Sequence, residues 1–484
     1  EETFCNTRTR HSIEFDLAAG VDKDGRLLAK DMHSYSNQGA YASHGHAIAA
    51  NGLTSWRLQY ACPNIRGEAY TIYTNTPVGG AMRGYGIPQV CFAIESFMDD
   101  VANEIHMDPL EFRRKNLIQG YYEDAYLKPI AANTNGIFEC LEKGAEYIHW
   151  NEKRKEYAEQ TGDVRKGVGM ALFSYKTGVW PISLEIAGAR LSLNQDGSVQ
   201  LMLGATEIGQ GADTVFSQMV AETLHTDMEH VHIKTVQDTD VSPFDTGAYA
   251  SRQSFVTGTA VRHCAEILRD KILAYAKTLL PEIDTRELTL KDNWIWAGDE
   301  QAISLAALAE ESYYSLTNSS VLTAEVSEQV KKNTIATGCC FAEVEVDIKL
   351  GKIKILHIIN VHDSGKLLNP QLAEMQVHGG MSMGMGYGIS EQLILDEKTG
   401  RPLNGNLLDY KLMTMLDTPD IKADFVELCD PMGPYGNKAL GEPPAIPCAP
   451  AIRNAVLHAT GVAFYENPLT PQRLIDGFKK AGLI

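Results

Sequence analysis

The glycines of this 484-residue chain are gathered rather than spread, and that gathering limits the fold more than any other feature. Four clusters stand out: Gly79-Gly80-Ala81-Met82-Arg83-Gly84-Tyr85-Gly86, Gly204-Ala205-Thr206-Glu207-Ile208-Gly209-Gln210-Gly211, Gly247-Ala248-Tyr249-Ala250-Ser251, and Gly379-Gly380 through Gly388. Three of them border a segment of helical pattern, where free backbone N–H groups and the helix dipole can receive a phosphate or another anion. Glycines also serve tight turns and close packing, so one cluster decides nothing and the four together carry the weight. None matches G-x-G-x-x-G or G-x-x-x-x-G-K-[ST], which argues against the common nicotinamide and nucleoside-triphosphate sites.

Between the clusters the hydrophobic period changes repeatedly. Ser12–Met32, Ala189–Leu203 and Phe341–Val361 alternate apolar and polar residues on both sides of a glycine turn and read as hairpins. Val90–Ile105, Thr214–Leu224, Thr259–Leu280 and Pro450–Ala459 repeat at three and four and read as helices. The mixture predicts an α+β fold without the regular alternation of a doubly wound sheet. Polar Asn151–Lys166 reads as a helix end plus connector, which places a domain boundary near 165 and gives domains 1–165 and 166–484. Lys291–Glu311, charged and weakly apolar, reads as a surface excursion.

The net charge of -19 is distributed along the chain, which excludes the basic stripe of a nucleic-acid groove. No apolar run is long enough to span a bilayer. Nine scattered cysteines make no disulfide framework and no spaced zinc or iron–sulfur motif, so a reducing, cytoplasmic setting is expected and any cluster belongs on another chain. The chain opens at Glu1 with no initiator methionine and runs at once into an alternating segment, so a preceding polypeptide is expected.

Some side chains invite chemistry. Arg83, flanked by glycines and followed by Tyr85, can hold an oxyanion while the ring stacks on a planar ligand, or it can make a surface salt bridge. Gln210 and Gln376, among glycines or at an apolar helix start, offer neutral amides to a ligand oxygen. In Gly441-Glu442-Pro443-Pro444 the proline predicts an extended Glu442 on a stiff loop. The small apolar run Ala445–Ile452 behind it places the carboxylate at the mouth of a buried segment, a setting that suits a base, although an exposed acidic turn has the same sequence. His230 and His232 alternate but lack a third metal ligand at useful spacing. No hydrolase motif is present.

Taken in order, Ala81–Gln89 with its Arg83-Gly84-Tyr85-Gly86, then Thr206–Gly211, Ala250-Ser251, Gln376 and Gly441-Glu442-Pro443-Pro444 resemble the molybdenum hydroxylases of the xanthine dehydrogenase and aldehyde oxidoreductase family. The resemblance covers essentially the whole chain. It implies two α+β domains around a buried molybdopterin, in bacterial relatives usually the cytosine dinucleotide form, whose extra phosphates suit the glycine-rich junctions. No side chain is expected to bind the metal directly. Glu442 then resembles the base that takes the proton from a molybdenum-bound hydroxide as hydride passes to a sulfido ligand, and Arg83 the arginine that orients and stabilises the substrate. Tyr85 and Trp180 fall where aromatic faces meet the substrate, and Gln210, Gly211, Ala250, Ser251 and Gln376 fall at cofactor-contacting positions.

Two departures follow from the same comparison. The family's Phe-Gly-Gly-Lys-Glu-like loop lies upstream of this chain, so the pocket is expected to be incomplete without an N-terminal part, separate or cleaved. Where xanthine-specific members carry a second arginine, this chain has Asn51, counted back from Pro63-Asn64-Ile65-Arg66-Gly67. The implied function is hydroxylation of a purine or related N-heterocycle with water as oxygen source, electrons leaving through 2Fe-2S and FAD subunits. An aldehyde oxidoreductase with the same cofactor and a metal-free assembly subunit are the alternatives.

Overall fold

A computed structural model describes residues 2–123, 129–131, 134–234 and 236–484; Glu1 lies outside them. Strands β1 (Ile13–Val21) and β2 (Leu27–Gly39) form the first expected hairpin, and β3 (Asn64–Tyr73) adds parallel to β2. After β4 (Val164–Lys176) comes a second sheet, made of β5 (Ile186–Leu193), β6 (Val199–Leu203), β7 (Val231–Ile233) and β8 (Thr323–Gln329) in the order β8-β5-β6-β7. Strands β9 (Ile335–Asp347), β10 (Lys352–Asp363) and β11 (Asp420–Phe425) then return to β4 and complete a third sheet, β11-β10-β9-β4, with β11 as a parallel edge. The other two expected hairpins are β5–β6 and β9–β10, which turn through Gly197 at φ 84° and Gly351 at φ 59°, angles that a side chain makes costly.

Helices α1 (Ile87–Glu104), α2 (Ala212–Leu224) and α3 (Gly258–Leu279) occupy the first three helical patterns; the fourth glycine cluster lies inside α4 (Pro370–Ile389), and α5 (Cys448–Thr460) takes the last pattern. The fold is thus mixed α+β. Helix α3 turns Val261, Ala265, Leu268 and Ile272 onto the second sheet, burying them with Ala189 and Leu191 of β5. On the third sheet, Cys140 and Leu141 of helix Ile137–Ile148 share a core with Phe341 and Ile359, while Ala451 and Ala455 of α5 share one with Ala171 and Cys340. With helices on both faces, β4 and β9 are nearly continuous buried runs rather than alternating ones.

Lys291–Glu311 is not a surface excursion. Its strands Trp294–Ala297 and Glu300–Ser304 pair into a small sheet with Leu288–Lys291, and Leu305–Tyr314 is a helix. Of its large apolar residues, Ile295, Leu305 and Leu308 are buried in the core of the second sheet and Ile303 packs against it.

Two features hold the site in place. Buried Arg113 bonds Glu95 Oε2 at 2.8 Å and Asp99 at 2.6 Å, and Glu95 also accepts the Leu172 N–H at 2.9 Å, which ties α1 to β4. Secondly, α4 presents a glycine stripe to the segment carrying Glu442. A Cβ on Gly380 would lie 2.4 Å from Pro444 Cβ, and one on Gly384 would lie 2.9 Å from Cys448 Cβ. Bare backbone there lets Pro443–Cys448 lie directly on the helix.

Candidate active site

Glu442 enters a single helical turn, Pro443–Ala445, whose Ala445 N–H donates to the Glu442 carbonyl at 3.2 Å. Its backbone is therefore helical, φ -97° and ψ -36°, not extended as the following proline predicts. The turn and a bond from Glu442 N–H to Ser251 Oγ at 2.9 Å offset the steric cost of that conformation. The side chain is held at both oxygens. Oε1 accepts the Gly84 N–H at 3.2 Å, whereas Oε2 accepts the Ser251 hydroxyl at 3.0 Å and the Tyr175 hydroxyl as well. Burial, and then the adjacent Glu442 carboxylate, pushes the Tyr175 hydroxyl well above its ordinary pKa, so it remains a donor. Behind Glu442, Ala445–Ile452 is buried throughout.

Arg83 answers this arrangement from the other loop. Its Nε donates to the Gly441 carbonyl at 2.6 Å, and Nη2 donates to the Gln376 carbonyl at 3.0 Å and to Gln376 Oε1 at 3.4 Å. The loops clasp reciprocally: the Arg83 side chain bonds the backbone before Glu442, and the backbone after Arg83 bonds the Glu442 side chain. Burial lowers the guanidinium's proton affinity, and the Glu442 charge opposes that fall. Gln376 lies inside α4 rather than at a helix start. Tyr85 is left-handed at φ 49°, its carbonyl accepts Asn51 Nδ2 at 2.9 Å, and its hydroxyl lies 2.7 Å from His44 Nδ1. Asn51 therefore spends its amide nitrogen on the backbone of Tyr85.

The third loop supplies Ser251. Ala250 and Ser251 are both left-handed, at φ 51° and 49°, a costly pair for non-glycine residues. Buried Arg252 compensates by bonding Glu185 and Asp245, each at 2.6 Å. At the second glycine cluster the amides are not free. Glu207 accepts N–H groups from Gly209 at 2.6 Å, Gly211 at 3.2 Å and Asp213 at 3.1 Å, filling the start of α2. Burial raises the Glu207 pKa, but these amides, Asp213 foremost, together hold it below the ordinary carboxylate value. Gln210 is likewise engaged, donating to Thr206 O at 3.0 Å and to Gln253 Oε1 at 2.6 Å.

One cleft of about 1050 Å³ collects Asn51, Arg83, Tyr85, Gln210, Ala250, Ser251, Gln376 and Glu442. Trp180 and Gly211 are not among its lining residues. Val179 and Ile182 line the wall beside Trp180, and Gly211 instead caps α2 against Leu372. Sequence reasoning missed Tyr175, His44, Glu207, Ser364 and Asn437. Tyr175 sits in an apolar strand with no local mark, whereas Glu207, among glycines just ahead of a helix, carries the signal of a capping carboxylate. Ser364 and Asn437 are each 3% exposed and line the cleft, yet Ser364 Oγ and Asn437 Nδ2 and Oδ1 have no partner. Among the described residues no group of three or more His, Cys, Asp or Glu side chains is placed to hold a metal ion. No helix there is long and apolar enough to cross a membrane.

Fold and cleft together define a mixed α+β protein whose large cleft is lined by loops from distant parts of the chain, from Arg8 to Glu442. Residues 1–117 and 143–419 each match a molybdopterin cofactor-binding domain model, and the chain belongs to that family. It is 47% identical to the xanthine dehydrogenase molybdenum-binding subunit of Escherichia coli O157:H7 over 489 residues, covering 100% of this chain and 64% of that protein. It is 27% identical to the aldehyde oxidoreductase molybdenum-binding subunit of Escherichia coli K12, covering 97% of this chain and 61% of that protein. The chain thus spans under two thirds of the length of these curated relatives. Among solved structures, quinoline 2-oxidoreductase from Pseudomonas putida 86 superposes with a TM-score of 0.91 at 23% identity, covering 99% of this chain and 63% of that one. The residues present fit a molybdopterin: Ser364 and Asn437 line a cleft wide enough for it and carry buried polar atoms that find no partner within the chain.

Proposed function

We propose that this chain forms most of the molybdenum-cofactor subunit of a hydroxylase acting on a purine or related N-heterocycle, resembling xanthine dehydrogenase. The observation that carries the reading is the reciprocal clasp, which brings a carboxylate and a guanidinium into one cleft while each bonds the other's backbone instead of the other's charge. Ser364, Asn437, Ser251 and Gln376 are the residues that would hold the cofactor, in the cytosine dinucleotide form. When bound, that group supplies the redox chemistry and accepts the electrons the substrate loses.

The chain's own side chains do the remainder. Glu442 is the base. Its Oε2 is already filled by two hydroxyl donors, so the proton from the attacking water-derived oxygen is taken at Oε1, which accepts only the Gly84 amide. Arg83, held flat by Gly441 and Gln376, faces negative charge developing on the substrate. Trp180 acts behind the wall formed by Val179, and Gly211 acts by fixing α2 rather than by contact. Electrons leave through 2Fe-2S and FAD partner subunits, and an N-terminal part of the subunit completes the pocket. We also propose the division into 1–165 and 166–484, supported by the exposed connector after helix Trp150–Glu156.

The test is turnover of hypoxanthine, nicotinate and an aldehyde by the purified complex, with molybdenum measured alongside. Glu442→Gln should keep the metal and lose most turnover; retained turnover refutes the base. Activity on the aldehyde alone overturns the heterocycle, and an intact complex free of molybdenum overturns the enzyme.

A further inference from the structure

We propose that Arg8, His44 and Tyr85 form a fixed hydrogen-bond relay that makes the Tyr85 hydroxyl a donor to the substrate, so the cleft selects molecules bearing an oxygen or nitrogen acceptor away from the reacting carbon. The proposal rests on the cleft being the site of heterocycle oxidation and names what that site reads.

The direction of the relay follows from chemistry. Arg8 Nη1 lies 3.5 Å from His44 Nε2, and His44 Nδ1 lies 2.7 Å from the Tyr85 hydroxyl. A guanidinium has donors only, so Nε2 accepts and the hydrogen of a neutral imidazole sits on Nδ1. The imidazole is neutral because burial, followed by the Arg8 and His46 charges, holds His44 below the ordinary histidine value. Nδ1–H then donates to the Tyr85 oxygen, and the phenolic hydrogen is left to point elsewhere. Burial, then the Glu442 charge, raises the Tyr85 pKa, so that hydrogen stays on the ring oxygen.

Geometry limits where it can point. Arg8, His44 and Tyr85 all line the cleft that holds Glu442. The His44 ring stands edge-on to Tyr85, 89° between planes at 5.6 Å, which blocks one side of the phenol. The left-handed backbone at Tyr85, pinned by Asn51, is a strained conformation of the kind that persists where a side chain must be aimed. Tyr85 thus reads an acceptor, where a stacking face was expected. A ligand without such an acceptor leaves the hydroxyl unpaired in a partly buried site, and that mismatch is the source of selection.

The experiment uses the holoenzyme complex and three variants: Tyr85→Phe, His44→Leu, and His44→Gln, whose amide can accept from Arg8 and donate to Tyr85. Hypoxanthine binding to the dithionite-reduced complex, which cannot turn over, is measured by calorimetry, and the kcat/KM ratio of hypoxanthine to benzaldehyde is measured in parallel. We expect Tyr85→Phe and His44→Leu to weaken binding and lower the ratio by about tenfold, and His44→Gln to restore both to within about threefold of the parent. Equal losses with benzaldehyde, or no difference between the two His44 variants, overturn the proposal. The relay is also read without substrate: histidine 15N spectra, assigned by subtracting the His44→Gln spectrum, should show the Nδ1–H tautomer, and an Nε2–H tautomer overturns it. If the parent complex carries molybdenum but neither binds nor oxidises hypoxanthine while the Nδ1–H tautomer is present, the substrate reading fails and the relay stands.

Discussion

Removing the Tyr175 hydroxyl is the most direct way to ask whether Glu442 works as a held base. Tyr175 is 3% exposed and its ring packs between β9 and α1, so Tyr175→Phe keeps the shape and deletes one donor to Oε2. Ser251 still donates to that oxygen at 3.0 Å and Gly84 to the other at 3.2 Å. A hydrogen bond to a charged group contributes about 1.5–3 kcal/mol, and with two donors remaining the lower end applies, roughly 1.5 kcal/mol. The lost donor supports the negative charge on the working carboxylate, so kcat/KM should fall by about tenfold, with unchanged molybdenum content by mass spectrometry. An unchanged kcat/KM would show that the hydroxyl does not bear on the reacting carboxylate; loss of metal would show that Tyr175 serves the cofactor instead.

Gly380→Ala should destabilise the protein by about 2 kcal/mol in urea unfolding and depress turnover, because the new Cβ meets Pro444 Cβ at 2.4 Å and must displace the turn carrying Glu442. Gly388→Ala, whose nearest neighbour is Ala449 Cα at 3.2 Å, should be tolerated far better. His362, buried between Phe173 and Phe425 with both ring nitrogens unpartnered, is pulled down to about 3 by burial and then by the Arg83 charge. The unfolded chain takes up that proton near pH 6.5 and the folded chain does not, so stability falls as pH drops from there towards about 3. His362→Phe should therefore flatten the fall between pH 7 and 4.5 in denaturant titrations; an unchanged slope refutes this. Glu207→Gln loses the charged cap of α2, at a cost of about 1 kcal/mol. Because the folded-state pKa of Glu207 is depressed, the difference from the parent should be full at pH 7 and shrink as pH falls through the acidic range.

The hairpins were readable because period-two alternation and a glycine turn are local facts, and β9–β10 holds an antiparallel ladder from Thr337↔Asp363 to Asp347↔Lys352. The pairing of β4 with β9 was not, since it joins residues such as Met170 and Phe341 that no turn connects. Within the site, Arg83, Gln376 and Glu442 stood out because charge or amide among glycines is unusual. Tyr175 did not, because in a strand buried on both faces a catalytic neighbour and a core residue look alike. The extended Glu442 was misread for a related reason: the proline rule treats the residue alone, while here a serine from another loop and the carboxylate's own turn outweigh it.

Two of the glycine-rich junctions already hold a carboxylate of the chain itself, Glu442 at Gly84 and Glu207 at the start of α2. A junction filled this way cannot greet a phosphate with free amides. The two cases nevertheless differ in kind. Glu207 exhausts its oxygens on three backbone amides and so behaves as structure, locking Gly209 and Gly211 so that Gln210 reaches the cleft at a fixed height. Glu442 also takes three donors, but they are one amide at Oε1 and two side-chain hydroxyls at Oε2, and it lines the cleft while Glu207 does not. The same device, a carboxylate seated on a glycine loop, therefore closes a helix end in one place and, on the proposed mechanism, presents a base in the other. The kind of donor and the place in the fold, not the number of donors, separate the two roles.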